Sequence, residues 1–162
     1  MLKIRAAVPG DGATIHALVS ALAEYERLAH EVQARPADFE AALFGPAPRV
    51  FCEIAEWSAS GGDREAVGLA LWFYSFSTFR GRHGLYLEDL FVRPAYRGRG
   101  IGKALLKRLA GRCVAEGLGR LEWSVLDWNR DAIDFYRAIG AQPLAEWTVY
   151  RLTGEALAAL GR

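Results

Sequence analysis

The sequence predicts a mixed α/β fold, a sheet with helices on its faces, in a single domain over residues 1–162. Three observations carry this. The spacing of apolar residues switches between the strand and helix periods several times along the chain. Three successive strand candidates are followed by strand, helix and strand in alternation, which argues for a sheet of mixed direction. The 162 residues are 52% apolar and 24% charged, enough for a core in one domain and too apolar for a disordered chain.

The elements follow in order. Leu2 to Val8 reads as a short strand, broken by Pro9-Gly10-Asp11, with Asp11 placed to cap a helix. Ile15, Leu18, Val19 and Leu22 recur at helical spacing, so a helix is expected from about Gly12 to Leu28. Pro36 suits the first turn of a second helix ending at Phe44. Val50–Trp57 and Ala66–Phe76 read as strands joined by the loop Ser58 to Asp63, with Gly68 marking a bulge. Leu85–Val92 is the third strand, ended by Pro94. Ile101, Leu105, Leu106 and Leu109 predict a helix from Gly100 to about Glu116, stopped by Gly117. Leu121, Trp123 and Val125 alternate as a strand, Ala132–Ile139 is a short helix, Thr148–Leu152 a last strand, and Glu155–Leu160 a terminal helix.

Composition excludes several classes. Twenty basic residues against 19 acidic ones leave a net charge of +1, so general binding of nucleic acid or of a membrane surface is not expected. Cys52 and Cys113 stand far apart and form neither a disulfide framework nor a zinc site. With His16, His30 and His83 scattered, no metal site is expected. No apolar run suits a signal peptide or a bilayer span, so the expected compartment is the cytoplasm.

The most informative stretch is Leu85-Tyr-Leu-Glu-Asp-Leu-Phe-Val-Arg-Pro-Ala-Tyr-Arg-Gly-Arg-Gly-Ile-Gly-Lys103, a strand running into a glycine loop and then a helix. Gly98, Gly100 and Gly102 let the backbone approach a ligand, and a helix start offers N–H groups to phosphate. Seven basic residues and no acid lie between Arg93 and Arg112, a bias that favours a multiply charged phosphate ligand. A P-loop is excluded because Ala104 follows Lys103, and the spacing is not that of the dinucleotide fingerprint.

Arg97, Gly100 and Gly102 resemble the acyl-CoA loop of the GNAT (Gcn5-related) N-acetyltransferases, Arg/Gln-x-x-Gly-x-Gly/Ala. Asn129-Arg-Asp-Ala132-Ile-Asp-Phe-Tyr136-Arg-Ala-Ile-Gly140 resembles that family's downstream segment. Ala23-Glu24-Tyr25-Glu26, Tyr86-Leu-Glu-Asp-Leu-Phe-Val92 and Leu126-Asp-Trp-Asn129 look like its diamine (spermidine/spermine) acetyltransferase branch, closest to the thialysine-acetylating members. The resemblance implies a mostly antiparallel twisted sheet with one splayed parallel pair and helices on both faces. It implies acetyl-CoA as co-substrate, no metal, a small primary amine as acceptor, and a homodimer.

By the same resemblance, acetyl-CoA is held by Leu90, Phe91 and Val92, by Arg97, Gly98, Arg99, Gly100, Ile101, Gly102 and Lys103, and by Asn129, Ala132 and Tyr136. Tyr136 is the implied general acid for the departing thiolate. An alkylammonium, with a pKa above about 10, must lose a proton before it attacks, and Glu88 is the implied base. Simple alternation puts Glu88 on one face with Tyr86, Leu90 and Val92, and Asp89 on the other, so one acid of the pair faces the amine.

The acceptor side is implied to include Tyr25, Glu26, Glu88 and Trp147. Ser77 to His83 carries Arg80 and Arg82 and no acid, which opposes a polycation and suits the carboxylate of an amino-acid substrate. The acyl-CoA loop would also serve a GNAT enzyme acting on a protein N-terminus, a lysine or an aminoglycoside, or a non-catalytic acyl-CoA sensor; Glu88 and Tyr136 count against the sensor.

Overall fold

The computed structural model describes residues 1–60 and 62–162; Gly61, inside the loop expected at Ser58 to Asp63, lies outside the described residues. The chain divides into two compact units, Met1–Ser124 and Val125–Arg162.

The first unit holds β1 (Leu2–Ala6), α1 (Gly12–Tyr25), α2 (Pro36–Phe44), β2 (Phe51–Trp57), β3 (Glu65–Ser77), β4 (Arg82–Val92), α3 (Ile101–Glu116) and β5 (Leu121–Trp123). Among the described residues the strands form one sheet in chain order. The first four strands pair antiparallel, and β4 with β5 is the single parallel pair.

Local chemistry explains most boundaries. The α2 helix starts where the sequence predicts, with Pro36 in its first turn and the Asp38 carboxylate accepting the Arg35 N–H at 2.7 Å. Asp11 sits at the α1 N-cap, yet its carboxylate accepts the Val8 N–H and pairs with Arg5 at 2.7 Å, so it ties β1 to the helix start. Glu40 of α2 accepts the Gly10 and Gly12 N–H groups, the latter at 2.7 Å, and thereby anchors α2 against the same start. A Cβ on Gly12 would meet the Pro36 carbonyl at 2.6 Å, so only glycine allows this approach. The predicted bulge beside Gly68 is present: Ala55 pairs with Gly68 and Glu56 with Ala66, leaving Val67 as the extra residue.

The two faces of the sheet bury different things. On one, Ile15, Leu18 and Leu22 of α1 pack on Cys52, Ile54, Leu69, Leu71 and Phe91. On the other, Leu105 and Leu109 of α3 are fully buried, as are Leu85 and Leu87 of β4. Glu53 is also buried there, at 1% exposure, and α3 neutralises it: Arg108 Nε donates to it at 2.6 Å and Arg112 lies 3.7 Å away. Two of the seven basic residues of the Arg93–Arg112 stretch therefore serve the core.

The second unit contains α4 (Arg130–Ala138) and α5 (Gly154–Leu160). The strand expected at Thr148–Leu152 does not form. Its alternation is real, but a strand exists only against a partner edge, and no ladder includes these residues; Val149 and Tyr150 are 87% and 92% exposed.

Candidate active site

The site is built on an irregularity in β4. Leu71 pairs with Asp89 and Trp72 with Leu87, so Glu88 is an extra residue opposite that step. The bulge reverses the alternation. Leu85 and Leu87, paired with Tyr74 and Trp72, turn toward α3. Asp89 and Phe91, paired with Leu71 and Leu69, turn toward α1. The expectation that Glu88 shares a face with Leu90 and Val92 is thus corrected, while Tyr86 stays on the α1 side; Asp89, expected on the other face, lines the same cavity as Glu88. The slip is legible in hindsight: apolar residues fall at 85 and 87 before the acids and at 90 and 92 after them.

Glu88 and Asp89 together line an open cavity of about 500 Å³, bordered by the end of α1 and the segment that follows it. Val19, Leu22 and Ala23 supply apolar wall, and Glu26 and Glu31 add two more carboxylates. The lining holds four acids and no basic residue among the described residues. Burial pushes Asp89 up to about 6, and the charges of Glu88 and Glu26 push it the same way. Burial also raises Glu26. Carboxylates gathered in an open cavity, with Asp89 raised by burial and by its acidic neighbours, favour cations, which relieve both the repulsion and the burial. Sequence reasoning found Glu26 and Glu88; it missed Asp89 and Glu31.

Beside the cavity, β4 leaves β5. The parallel ladder ends at Leu87–Trp123. Arg93 N–H donates to the Val67 carbonyl on the β3 side, so Val92 and Leu90, out of step with it, turn their backbone groups to the side β5 has left. Phe91 is 3% exposed, a core residue whose backbone faces β3. The loop then climbs into α3 through Gly98 and Gly100, with φ of +75° and +76°. A Cβ at either would meet nothing within 4 Å, so glycine is required there for conformation rather than for space. Ile101, Gly102 and Lys103 open α3, whose first turn holds no acid; their N–H groups lack intrahelical partners, as at any helix start.

The loop arginines are held by aromatic rings. Arg97 Nε donates to the Val92 carbonyl at 3.0 Å, and its guanidinium lies 4.1 Å from the centre of the Tyr25 ring. Arg99 lies 5.0 Å from the Trp57 ring centre. Tyr25 therefore faces the glycine loop, while the adjacent Glu26 lines the cavity.

Arg80 and Arg82 are not brought to the cavity. Glu88 lies six strand steps beyond Arg82, a distance of about 20 Å at about 3.3 Å per residue. Both arginines instead approach Gly119 at the far end of the sheet. In the second unit, the Asn129 side chain accepts the Ala132 N–H at 3.3 Å and so caps α4. Tyr136 is half-buried on the same helical face as Ala132, its ring 5.6 Å from that of Phe135. Trp147 is 77% exposed in a stretch without helix or strand. Cys52 and Cys113 are free and buried, and burial pushes both thiols up, which suits inert core residues. Among the described residues no cluster of His, Cys, Asp or Glu has a metal-holding arrangement, and no helix is long and apolar enough to cross a membrane.

Comparison with known proteins identifies the family and the fold. The sequence pattern of the acetyltransferase (GNAT) family matches residues 15–141. The bovine thialysine N-epsilon-acetyltransferase is 40% identical over 96% of this chain and 95% of its own length. The L-ornithine N5-acetyltransferase of Arabidopsis thaliana is 34% identical over 99% of this chain and 88% of its own. Among solved structures, an integron cassette protein from the mobile metagenome of V. cholerae superposes with a TM-score of 0.79 at 25% identity, covering 99% of this chain and 98% of that one. An aminoglycoside acetyltransferase from an uncultured soil metagenomic sample, 21% identical with a TM-score of 0.75 over 96% and 99% of the two chains, shares the fold. On a pattern spanning most of its length and relatives matched almost end to end, this chain belongs to the GNAT family of acetyltransferases and is an acetyl-transferring enzyme.

Proposed function

We propose that the chain transfers the acetyl group of acetyl-CoA to the terminal amine of a small molecule carrying a second ammonium, either a thialysine-like diamino acid or a diamine or polyamine. The observation that carries this is the cavity with four carboxylates and no base. A second positive charge gains from such a lining; a neutral or anionic acceptor does not. Two relatives carry names that fit, one a thialysine and one an ornithine acetyltransferase. Arg80 and Arg82, which line no part of the cavity, have no role in this reading.

The donor side fits acetyl-CoA by its chemistry. The backbone groups of Leu90 and Val92 suit an extended amide-bearing arm, and the open glycine loop with Arg97, Arg99 and Lys103 suits its phosphates. Acetyl-CoA supplies an activated acyl thioester. Glu88, exposed at the cavity, takes the proton of the reacting ammonium directly or through one water. Glu26 and Asp89 hold the other ammonium. The amine nitrogen bonds to the acyl carbon as the carbon–sulfur bond breaks, the Tyr136 phenol gives its proton to the thiolate, and the nitrogen's remaining excess proton passes through water to restore the phenol. Asn129 and Ala132 are read as donor-binding residues by resemblance to the family's motif, and residues 1–162 as one acetyltransferase domain. The chain works in this reading as a cytoplasmic homodimer, a state that light scattering at micromolar concentration tests.

The deciding experiment is thiol release from acetyl-CoA with thialysine, spermidine and butylamine in parallel. The expected result is turnover with the acceptors bearing a second ammonium at a kcat/KM at least tenfold above that of butylamine. Equal values would remove the cavity acids from substrate recognition.

A further inference from the structure

We propose that Arg97 and Tyr25 form a strut between the donor loop and the acceptor wall, making Tyr25 a positioning residue for acetyl-CoA and Arg97 one for the amine. This rests on the reading of the two sites given above. Arg97 opens the glycine loop, and its side chain does two further things at once. Its Nε is committed to the Val92 carbonyl at 3.0 Å, at the end of the strand whose edge suits the donor arm. Its guanidinium lies 4.1 Å from the centre of the Tyr25 ring and 5.8 Å from that of Phe91. Tyr25 is the last residue of α1, and Glu26, its C-cap, lines the acceptor cavity. Helix α1 ends there, because Arg27 takes a left-handed φ of 62°. One guanidinium therefore bridges the strand, the loop and the residue next to a cavity acid. The terminal nitrogens of Arg97 remain able to meet a phosphate while its Nε stays on Val92. A planar cation over a ring face resists sliding, so a donor that fixes Arg97 also fixes the end of α1. By linkage an amine that fixes the end of α1 must favour the donor equally.

The test is a double-mutant cycle with two readouts. Acetyl-CoA affinity is measured by calorimetry without amine, and amine KM is measured at saturating acetyl-CoA. Arg97 is exposed, and a cation–π contact at an exposed site corresponds to about a two- to fivefold change in affinity. Tyr25→Leu is expected to weaken acetyl-CoA binding by that factor, and Tyr25→Phe, which keeps the ring face, to leave it unchanged. Arg97→Met is expected to raise the amine KM although Arg97 lines no part of the cavity. The double variant is expected to raise it no further than the larger single effect. Wild-type donor affinity in folded Tyr25→Leu, matching losses in Tyr25→Phe, or singles that multiply in the double variant would each overturn the strut while leaving the acetyltransferase reading intact. A wild-type chain that binds no acetyl-CoA would overturn both. Thermal denaturation of each variant confirms folding, and Tyr25→Phe carries the test if Tyr25→Leu unfolds.

Discussion

Asp89→Asn should make the protein more stable and a poorer enzyme, and the gain should vanish in acid. Asp89 has its carboxyl pushed up to about 6 from an ordinary 3.8, first by burial and then by Glu88 and Glu26. A raised carboxyl means that the folded chain binds more protons than the unfolded one between those pH values. Stability therefore falls as pH rises through that window, and the loss is complete above about pH 6. At about 1.4 kcal/mol per tenfold change in protonation equilibrium, the gap from 3.8 to about 6 sets a ceiling of about 3 kcal/mol. Solvent at the cavity mouth screens part of this, so a gain of about 1–3 kcal/mol is expected for the neutral amide at pH 8. For a chain of this length that is a rise in Tm of about 2–12 °C. Thermal unfolding of both proteins at pH 8 and pH 4 measures it, and amine KM at pH 8 should rise at least tenfold in the variant. A Tm difference at pH 4 as large as that at pH 8, or an absent one at pH 8, would refute the electrostatic argument for the cavity.

Three further outcomes are expected. Tyr136→Phe should lower kcat by about 10²-fold or more while acetyl-CoA affinity by calorimetry is kept; unchanged turnover would end its role as proton donor. Gly100→Ala should cost about 1–2 kcal/mol through its φ of +76° alone, since no atom lies near the new Cβ, and acetyl-CoA affinity should fall with it. Arg108→Met should lower stability in urea unfolding by about 1–3 kcal/mol, because it leaves the buried Glu53 to Arg112 at 3.7 Å.

Much of the fold is readable where local chemistry decides it. Pro36 and Asp38 fix the start of α2, and the glycines at 98, 100 and 117, all with positive φ, mark the loop and the end of α3. Readings that assumed a constant period did less well. Alternation through Leu85–Val92 presumes an unbroken ladder, and the extra residue at Glu88 is defined only by the register with β3. Thr148–Leu152 has a strand's pattern but belongs to no ladder. Arg80 and Arg82 carry suitable charge, but only strand length shows how far they lie from the acids. Arg108 and Arg112 look like phosphate ligands until the buried Glu53 opposite them is seen.

The bulge at Glu88 also partitions what changes in length the chain can accept. The turn between β3 and β4 joins two already paired strands at an exposed tip, where Phe79 is 100% exposed, and an added residue there has solvent to enter. Removing one residue at 88–89 would merge the two halves of β4 into one uniform strand. Either Leu85 and Leu87 would then leave their layer, or Phe91 would leave its own. The strand thus behaves as two short messages spliced in opposite phase, each checked against a different helix, and the splice is where the acids of the cavity sit.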